Sequence, residues 1–391
     1  MFKLEKTDKF GIRHGIIRTG HGRLKTPLFL PDATRGYIKT LDSADLKQSG
    51  VEALVVNTYH LFLTPGLDII KRARGIHKFM GWEGPLLSDS GGYQVFSLIR
   101  NLSRKREGKK PLGKITDEGV WFKSPLDGKE HFFTPEKSIQ IQFELGVDMM
   151  VALDDCPPNN SAREDIKESI ERTVVWAERC LREYNKQIEK RKMDKKNRPL
   201  IFSVIQGGEY EDLRKACYKG ISQAEQSLKT KGRALTGWDG YGFGARPVDS
   251  QGRFLKKVLA FTAALIPEKK IRFALGIGTP DDIWQCARLG WDMFDCVIPT
   301  REGRHGRLYL RDKRGLIKGR KMYYNSINIM GSRFQKDFSP LNPLKIIPVL
   351  GHSKAYLNYL MRSREALGQK IATINNLNFY TRLLSDIREL K

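Results

Sequence analysis

The sequence predicts an α/β protein built as a (β/α)8 TIM barrel, and three observations carry that reading. Eight short apolar runs recur along the chain, each ending in polar or glycine-rich residues. Helix-period segments separate most of them, and a regular βα alternation implies a parallel sheet buried on both faces. At 391 residues the chain can bury one large core of this kind.

The first 27 residues alternate and turn at Gly11 and at Gly20-His21-Gly22, which predicts a β-structured lead-in capping one barrel end. Strands are expected over 28–32, 53–60 and 86–92. Residues 93–147 are too long for a plain connection. Within them Val120–Ser124 and Glu130–Phe133 flank Pro125-Leu126-Asp127-Gly128, and Asp-Gly between strand-like runs signals a hairpin, so an insertion at the barrel mouth is expected. Further strands are expected over 149–155, 200–208, 240–244, 273–278 and 293–298, with helices over 165–192, 210–228, 254–266 and 281–289. The catalytic barrel is assigned to 1–300. Residues 301–391 form a basic segment followed by a helical subdomain, periodic from Ser353 to Leu390, packed on the barrel.

Composition removes several classes. Apolar residues make up 40%, about half once the 36 glycines are added, which excludes bulk disorder and collagen. No run approaches the ~18 apolar residues of a spanning helix. The start lacks the apolar core of a signal peptide, so a cytoplasmic protein without membrane association is expected. Five singly scattered cysteines (156, 180, 217, 286, 296) offer neither a disulfide framework nor a local metal site. The outlier is charge: 69 Lys+Arg against 44 Asp+Glu gives +25, which points to a polyanionic partner, nucleic acid first. Residues 301–321 hold nine Lys/Arg against two acids, interleaved with Tyr309 and followed by Tyr323 and Tyr324, a mixture suited to phosphate contact and base stacking. Two other basic runs, Arg104–Lys110 and Lys186–Arg198, read as solvated loops.

Barrel enzymes place their chemistry where the strands end. Here those ends carry Asp89, Asp154, Gln206, the glycines of the 240s and Asp295. A lone strand-end aspartate is often a helix cap, but several on successive strands describe a site for glycosyl chemistry. One carboxylate attacks or stabilises C1′ of a sugar while another moves a proton, and Asp89 with Asp295 is the natural pair.

These residues sit in recognisable motifs: Asn57-Thr-Tyr-His-Leu61, Ser88-Asp-Ser-Gly-Gly-Tyr-Gln-Val-Phe96, Ile205-Gln-Gly-Gly208, Gly276-Ile-Gly-Thr-Pro-Asp-Asp282 and Phe294-Asp-Cys-Val-Ile-Pro-Thr-Arg301. Together, across nearly the whole chain, they resemble the tRNA-guanine transglycosylases. That resemblance implies exchange of the wobble guanine of a tRNA with a G-U-N anticodon for a 7-deazaguanine base, and a homodimeric enzyme. Asp295 then corresponds to the nucleophile that holds the tRNA covalently, and Asp89 to the general acid/base of a ping-pong reaction. Asp154 and Gln206 correspond to residues that hydrogen-bond the purine edge. Tyr93 would stack on the base, Ser90, Gly91 and Gly92 complete its strip, and Cys156, Gly244, Ala245 and Leu275 line the same pocket. Gly276, Ile277, Gly278, Thr279, Pro280, Asp281 and Asp282 correspond to an RNA-contacting loop. Thr300, Arg301, Glu302, Gly303 and Arg304 correspond to the segment that reads the anticodon loop.

The chain departs from the family twice. Most members hold a structural zinc through Cys-x-Cys-x2-Cys and a later histidine. Here the stretch Pro340–Gly351 has no cysteine and the histidine position is Asn375, so no zinc cofactor is expected, and Ile346, Ile347, Val349 and Leu350 would fill its place. In addition, the strip that recognises the incoming base reads Gly242-Phe243-Gly244-Ala245-Arg246-Pro247-Val248, in which Gly244 keeps the first glycine but Ala245, Arg246 and Pro247 differ. Proline removes a backbone donor and arginine adds bulk and charge; the bacterial look of the surrounding motifs favours 7-aminomethyl-7-deazaguanine. A transglycosylase acting on DNA, a non-catalytic accessory subunit and an ordinary glycosidase are the competing readings. Retention of both Asp89 and Asp295 weighs against the accessory subunit.

Overall fold

The computed structural model describes residues 1–96, 99, 113–158, 161–230, 236–249, 251–312, 317–318, 321–341 and 351–390. Strands β1 (Phe2–Thr7), β2 (Arg13–Thr19) and β3 (Gly22–Thr26) form an antiparallel sheet. The barrel begins with β4 (Leu28–Pro31), β5 (Leu54–Asn57) and β6 (Leu86–Asp89). The chain then builds a second antiparallel sheet from β7 (Gly113–Ile115), β8 (Val120–Lys123) and β9 (Glu130–Phe133), in which Val120 faces Phe133 as the hairpin expectation requires. Barrel strands resume with β10 (Met149–Val151), β11 (Leu200–Ile205), β12 (Gly240–Phe243), β13 (Ile271–Ala274) and β14 (Met293–Cys296).

The eight barrel strands pair in chain order, all parallel, and a parallel bridge between Asp32 and Val55 joins the first two. Strand β11 shows why the sequence folds this way. Successive side chains of a strand point to opposite faces. Leu200, Phe202 and Val204 enter the barrel interior with Leu28, Leu30, Val55, Leu87, Val151 and Phe273, while Ile201 and Ile205 pack outward beneath the helices. Ile17 and Leu24 of the first sheet join the interior cluster, so the lead-in closes the barrel floor. The buried Arg13 guanidinium locks it there, donating to Asp292 at 2.9 Å and to the Glu268 and Lys270 carbonyls.

Helices Arg163–Lys190, Glu211–Thr230, Lys256–Leu265 and Pro280–Arg288 occupy the expected segments. The insertion also contains a helix of the barrel ring, Pro135–Leu145, capped by the Thr134 hydroxyl on the Lys137 N–H and burying Ile139, Ile141, Phe143 and Leu145. One expectation holds only in part. Of Lys186–Arg198, residues 186–190 end the helix, 191–197 make a largely exposed turn segment, and the Arg198 guanidinium is drawn into a bidentate pair with Asp239 at 2.6 and 2.8 Å. The other basic run, Arg104–Lys110, and the apolar residues expected in place of zinc lie outside the described residues.

Past the barrel, β15 (Arg307–Arg311), β16 (Ile317–Lys318), β17 (Lys321–Met322) and β18 (Tyr324–Asn328) make two short antiparallel pairs, β15 with β18 and β16 with β17. Helices Lys354–Arg362 and Ala366–Arg388 follow. The last helix sends Leu377, Tyr380, Leu383, Leu384 and Ile387 into the main core. Its Asn376 amide donates to the Pro299 and Arg307 carbonyls, and its Tyr380 hydroxyl to the Gly278 carbonyl at 2.5 Å. The C-terminal helix therefore positions the loops on either side of β14. Among the described residues, no helix is long and apolar enough to cross a membrane.

Candidate active site

Four carboxylates meet at the C-terminal mouth of the barrel because four strands end there. Asp89 closes β6, Asp295 lies near the end of β14, Asp154 follows β10, and Asp32 follows β4. All four line one cavity of about 500 Å³. The Asp295 carboxylate accepts the Gly276 N–H at 2.9 Å. Gly276 presents that N–H from a left-handed conformation (φ +71°) that glycine adopts without strain. Asp89 accepts from the Asn57 amide at 2.8 Å, and the same nitrogen donates to Gln94 at 3.0 Å. Asp32 is held by the Thr34 N–H at 2.8 Å and by the Thr34 hydroxyl.

Burial in a pocket with several like charges disfavours ionisation. Burial is the main cause that pushes the Asp89 carboxyl up to about 6, with the Asp32 charge adding to it. Burial likewise raises Asp295 to about 7, opposed by the Gly276 N–H and helped by Asp32 and Asp89, and it raises Asp154 to about 7. Asp32 is raised by burial as well. Carboxyls displaced in this way and facing one cleft mark a candidate acid/base or nucleophilic site.

The opposite wall has the groups needed to grip a planar heterocycle. The Gln206 amide nitrogen donates to Asp154 at 2.5 Å, while its oxygen is buried without a hydrogen-bond partner. An orphaned buried acceptor costs about 1–3 kcal/mol unless something donates to it, and a purine N–H would do so. Beneath this wall lies Arg214, fully buried without a carboxylate partner. It donates to the carbonyls of Ile205, Gly208 and Gly244 at 2.8–3.0 Å and stacks on Phe243, 3.8 Å from the ring centroid. Desolvation lowers its pKa to about 9. The guanidinium thereby ties the ends of β11 and β12 into one rigid shelf.

Gly244 sits on that shelf because nothing larger fits: a Cβ there would come within 2.5 Å of the Gln206 carboxamide carbon. Gln206 is fully buried and cannot retreat. Gly244→Ala is expected to displace the carboxamide from Asp154 and raise the KM for the base about 10–100-fold, with a smaller effect on kcat. An unchanged KM in steady-state exchange assays would show that the shelf does not bind the base.

The structure brings most of the sequence-predicted residues to this cavity. Besides the carboxylates they are Tyr93, half exposed at the rim, with Cys156, Gln206, Gly244, Ala245, Leu275, Gly276, Ile277, Gly278, Thr279, Asp282 and Arg301. Burial is the main cause that pushes the Cys156 thiol up to about 12, so it lines the pocket as a thiol rather than as a nucleophile. Ser90, Gly91 and Gly92, expected to complete the base strip, are buried and are not among the residues lining the cavity. Gly91 is pressed so close to Tyr59 that a Cβ would approach within 2.6 Å. Pro280 and Asp281 start the following helix, with Asp281 accepting from the Tyr324 hydroxyl at 2.6 Å. Thr300 and Arg304 line a neighbouring cavity of about 340 Å³ with Arg35, Tyr37, Lys39 and His60. Glu302 pairs with Arg307 at 3.2 Å, and Gly303 packs on Ala372 and Thr373.

Sequence reasoning missed Asp32, Asn57 and Arg214 as site residues. Asp32 carried a usable signal, since it ends a strand run just as Asp89 does. Arg214 carried none, because one arginine on a helix reads as solvent-facing until the fold buries it.

A closed (β/α)8 barrel with displaced carboxyls at its mouth and a polar shelf for a heterocycle defines an enzyme of the barrel class. The family model described as queuine tRNA-ribosyltransferase matches residues 8–390. Queuine tRNA-ribosyltransferases of Staphylococcus aureus strains JH9, Mu50 and N315 are each 38% identical over 380 residues, covering 97% of this chain and 89% of the relative. The chain belongs to the queuine tRNA-ribosyltransferase family and is a pentosyltransferase.

Proposed function

We propose that this protein exchanges the wobble guanine of a tRNA with a G-U-N anticodon for a 7-deazaguanine base, through a covalent enzyme–tRNA intermediate. The observation that carries this reading is the pairing of Asp295, anchored by the Gly276 N–H, with Asp89 across a cavity whose other wall is the Asp154–Gln206 shelf. The Asp295 carboxylate attacks C1′ of the target ribose and the bond to guanine N9 breaks. The bonding pair goes to N9, which takes a proton supplied by Asp89. In the second half Asp89, now ionised, takes the N9 proton of the incoming base. That nitrogen attacks C1′ and the ester bond to Asp295 breaks, returning the carboxylate. Two inversions give net retention. A pKa near 6 suits a group that must give and take a proton near neutrality.

The basic flank supports tRNA as substrate. Arg301 lines the main cavity, and Arg35, Lys39 and Arg304 line its neighbour, so phosphates on either side of an extruded nucleotide meet positive charge. For the incoming base we keep 7-aminomethyl-7-deazaguanine, whose cationic substituent is compatible with a pocket holding four carboxyls. A homodimer is supported by exposed Phe338, Tyr356, Tyr359 and Leu367 in the C-terminal segment, and sedimentation of the purified protein tests it. No zinc is assigned to the family's C-terminal position. The Asn375 amide that stands for the histidine is committed to the Tyr309 carbonyl and to Asn376, both at 3.1 Å, and the chain's five cysteines lie elsewhere. The residues do not fit the metal.

The primary test is incorporation of labelled guanine into unmodified tRNA, with DNA as a control. Label in tRNA supports the reading, and label in DNA alone replaces it with the DNA-acting alternative. Activity is expected to follow a bell in pH with limbs near 6 and 7, because the first half needs Asp295 ionised and Asp89 protonated. Stability of the free protein should instead fall steadily with pH. The folded carboxyls titrate near 6–7 and the unfolded ones near ~4, so the folded state holds extra protons in between. Their contribution is full below pH ~4 and is lost as pH rises through the folded values. Asp295→Asn should flatten that slope and raise stability at pH 8 by on the order of 2 kcal/mol, measured by urea denaturation at pH 5 and pH 8.

A further inference from the structure

At the barrel floor, opposite the active site, His21, His77 and Asp148 form a cluster that the proposed reaction does not use. His21 occupies the turn between β2 and β3, His77 belongs to the helix Ile76–Met80, and Asp148 immediately precedes β10. Three separate segments thus converge on one carboxylate.

We propose that His21, His77 and Asp148 bind a divalent transition-metal ion of the zinc or cobalt type at the barrel floor. The His21 Nδ1 atom lies 2.9 Å from one Asp148 oxygen and the His77 Nε2 atom 3.2 Å from the other. The three donor groups fall within 4.8 Å of one another. Ligands held at about 2.0–2.2 Å around a tetrahedral ion are roughly 3.3 Å apart, and the two nitrogen–carboxylate spacings fall near that value.

The second observation is His77 itself. Its side chain is only 9% exposed, and Nε2 faces Asp148 yet makes no hydrogen bond. A buried ring nitrogen aimed at a carboxylate without hydrogen-bond geometry is an orphan that a shared cation would satisfy. Asp148 is prepared from outside the cluster. It accepts the Leu86 N–H at 2.9 Å and the His21 N–H at 3.1 Å, contacts of the kind that orient a ligand carboxylate.

The two imidazole rings stack 3.6 Å apart at 12°. Ring lone pairs lie in the ring plane, so the stack must open for both nitrogens to reach one ion. His21 can supply that motion, since its side chain is 40% exposed on a glycine-flanked turn. Two imidazoles and one carboxylate select zinc, cobalt, nickel or copper over magnesium and calcium, and leave a fourth position for water. A bound ion would tie the lead-in sheet to the start of β6 and β10 and to the helix Ile76–Met80.

The test uses tag-free, full-length protein stripped with a chelator and titrated with Co2+ and then Zn2+. The expected result is one ion per chain, a tetrahedral-type cobalt absorption, and a Tm raised by several degrees at saturating zinc. His77→Gln and, independently, His21→Gln should weaken binding at least tenfold. Should His77→Gln fail to fold, the solvent-facing His21→Gln variant carries the comparison, and its guanine exchange should be unchanged. Absence of cobalt absorption and of any zinc-dependent Tm shift would overturn the proposal. So would equal binding by wild type and both variants, because the ion would then sit elsewhere. The readout needs no tRNA, so it stands or falls separately from the transglycosylase reading.

Discussion

Asp295→Ala protein is expected to incorporate labelled guanine into tRNA at no more than about 10⁻⁴ of the wild-type rate. The reason is that the carboxylate supplies a bond rather than an environment. Without it, ribose C1′ has no covalent partner after guanine leaves, and neither Asp89 nor Asp32 is placed by the Gly276 N–H as Asp295 is. Wild-type protein mixed with tRNA should form a complex that survives denaturing electrophoresis, and the variant should form none. Loss of activity with retention of that complex would move the nucleophile to another residue, Asp32 being the next candidate from its place on the same cavity.

Asp89→Asn is expected to lower kcat about 10²–10⁴-fold, the usual range for removing a general acid/base. Asparagine keeps the size of the side chain and an oxygen that can accept the Asn57 hydrogen bond, so the wall of the pocket should survive. What disappears is the capacity to supply and take the N9 proton. The denaturation-resistant tRNA complex should therefore still form, but slowly, and the alkaline fall of the pH profile should disappear while the rise set by Asp295 remains. An Asp89→Asn enzyme exchanging guanine near the wild-type rate would remove Asp89 from the chemistry.

Much of the fold was legible because strand and helix periods write themselves into a chain of this class. All eight barrel strands were visible as apolar runs, and the hairpin was visible from Asp127-Gly128. The same logic held only in part for Lys186–Arg198. Residues 191–197 are largely exposed as charge density suggested, whereas 186–190 belong to a helix and the Arg198 side chain packs against Asp239, a partner 41 positions away that local sequence cannot reveal. Strand β7 was missed for a similar reason, since a three-residue strand is defined by its partner β8 more than by its own composition.

The sequence by itself determined the barrel, the excess of positive charge and the strand-end aspartates, because each depends on residue type and spacing along the chain. Only the tertiary structure decided how those aspartates act on one another. Closing the barrel buries Asp89 and Asp295 with Asp32 nearby, and that burial, helped by their mutual repulsion, lifts the carboxyls towards neutrality. It also buries Arg214 beneath Gly244, leaves the Gln206 oxygen unpartnered, and gathers His21, His77 and Asp148 at the floor. Each of these depends on distances between segments far apart in the chain, and such distances are set by packing rather than by local pattern.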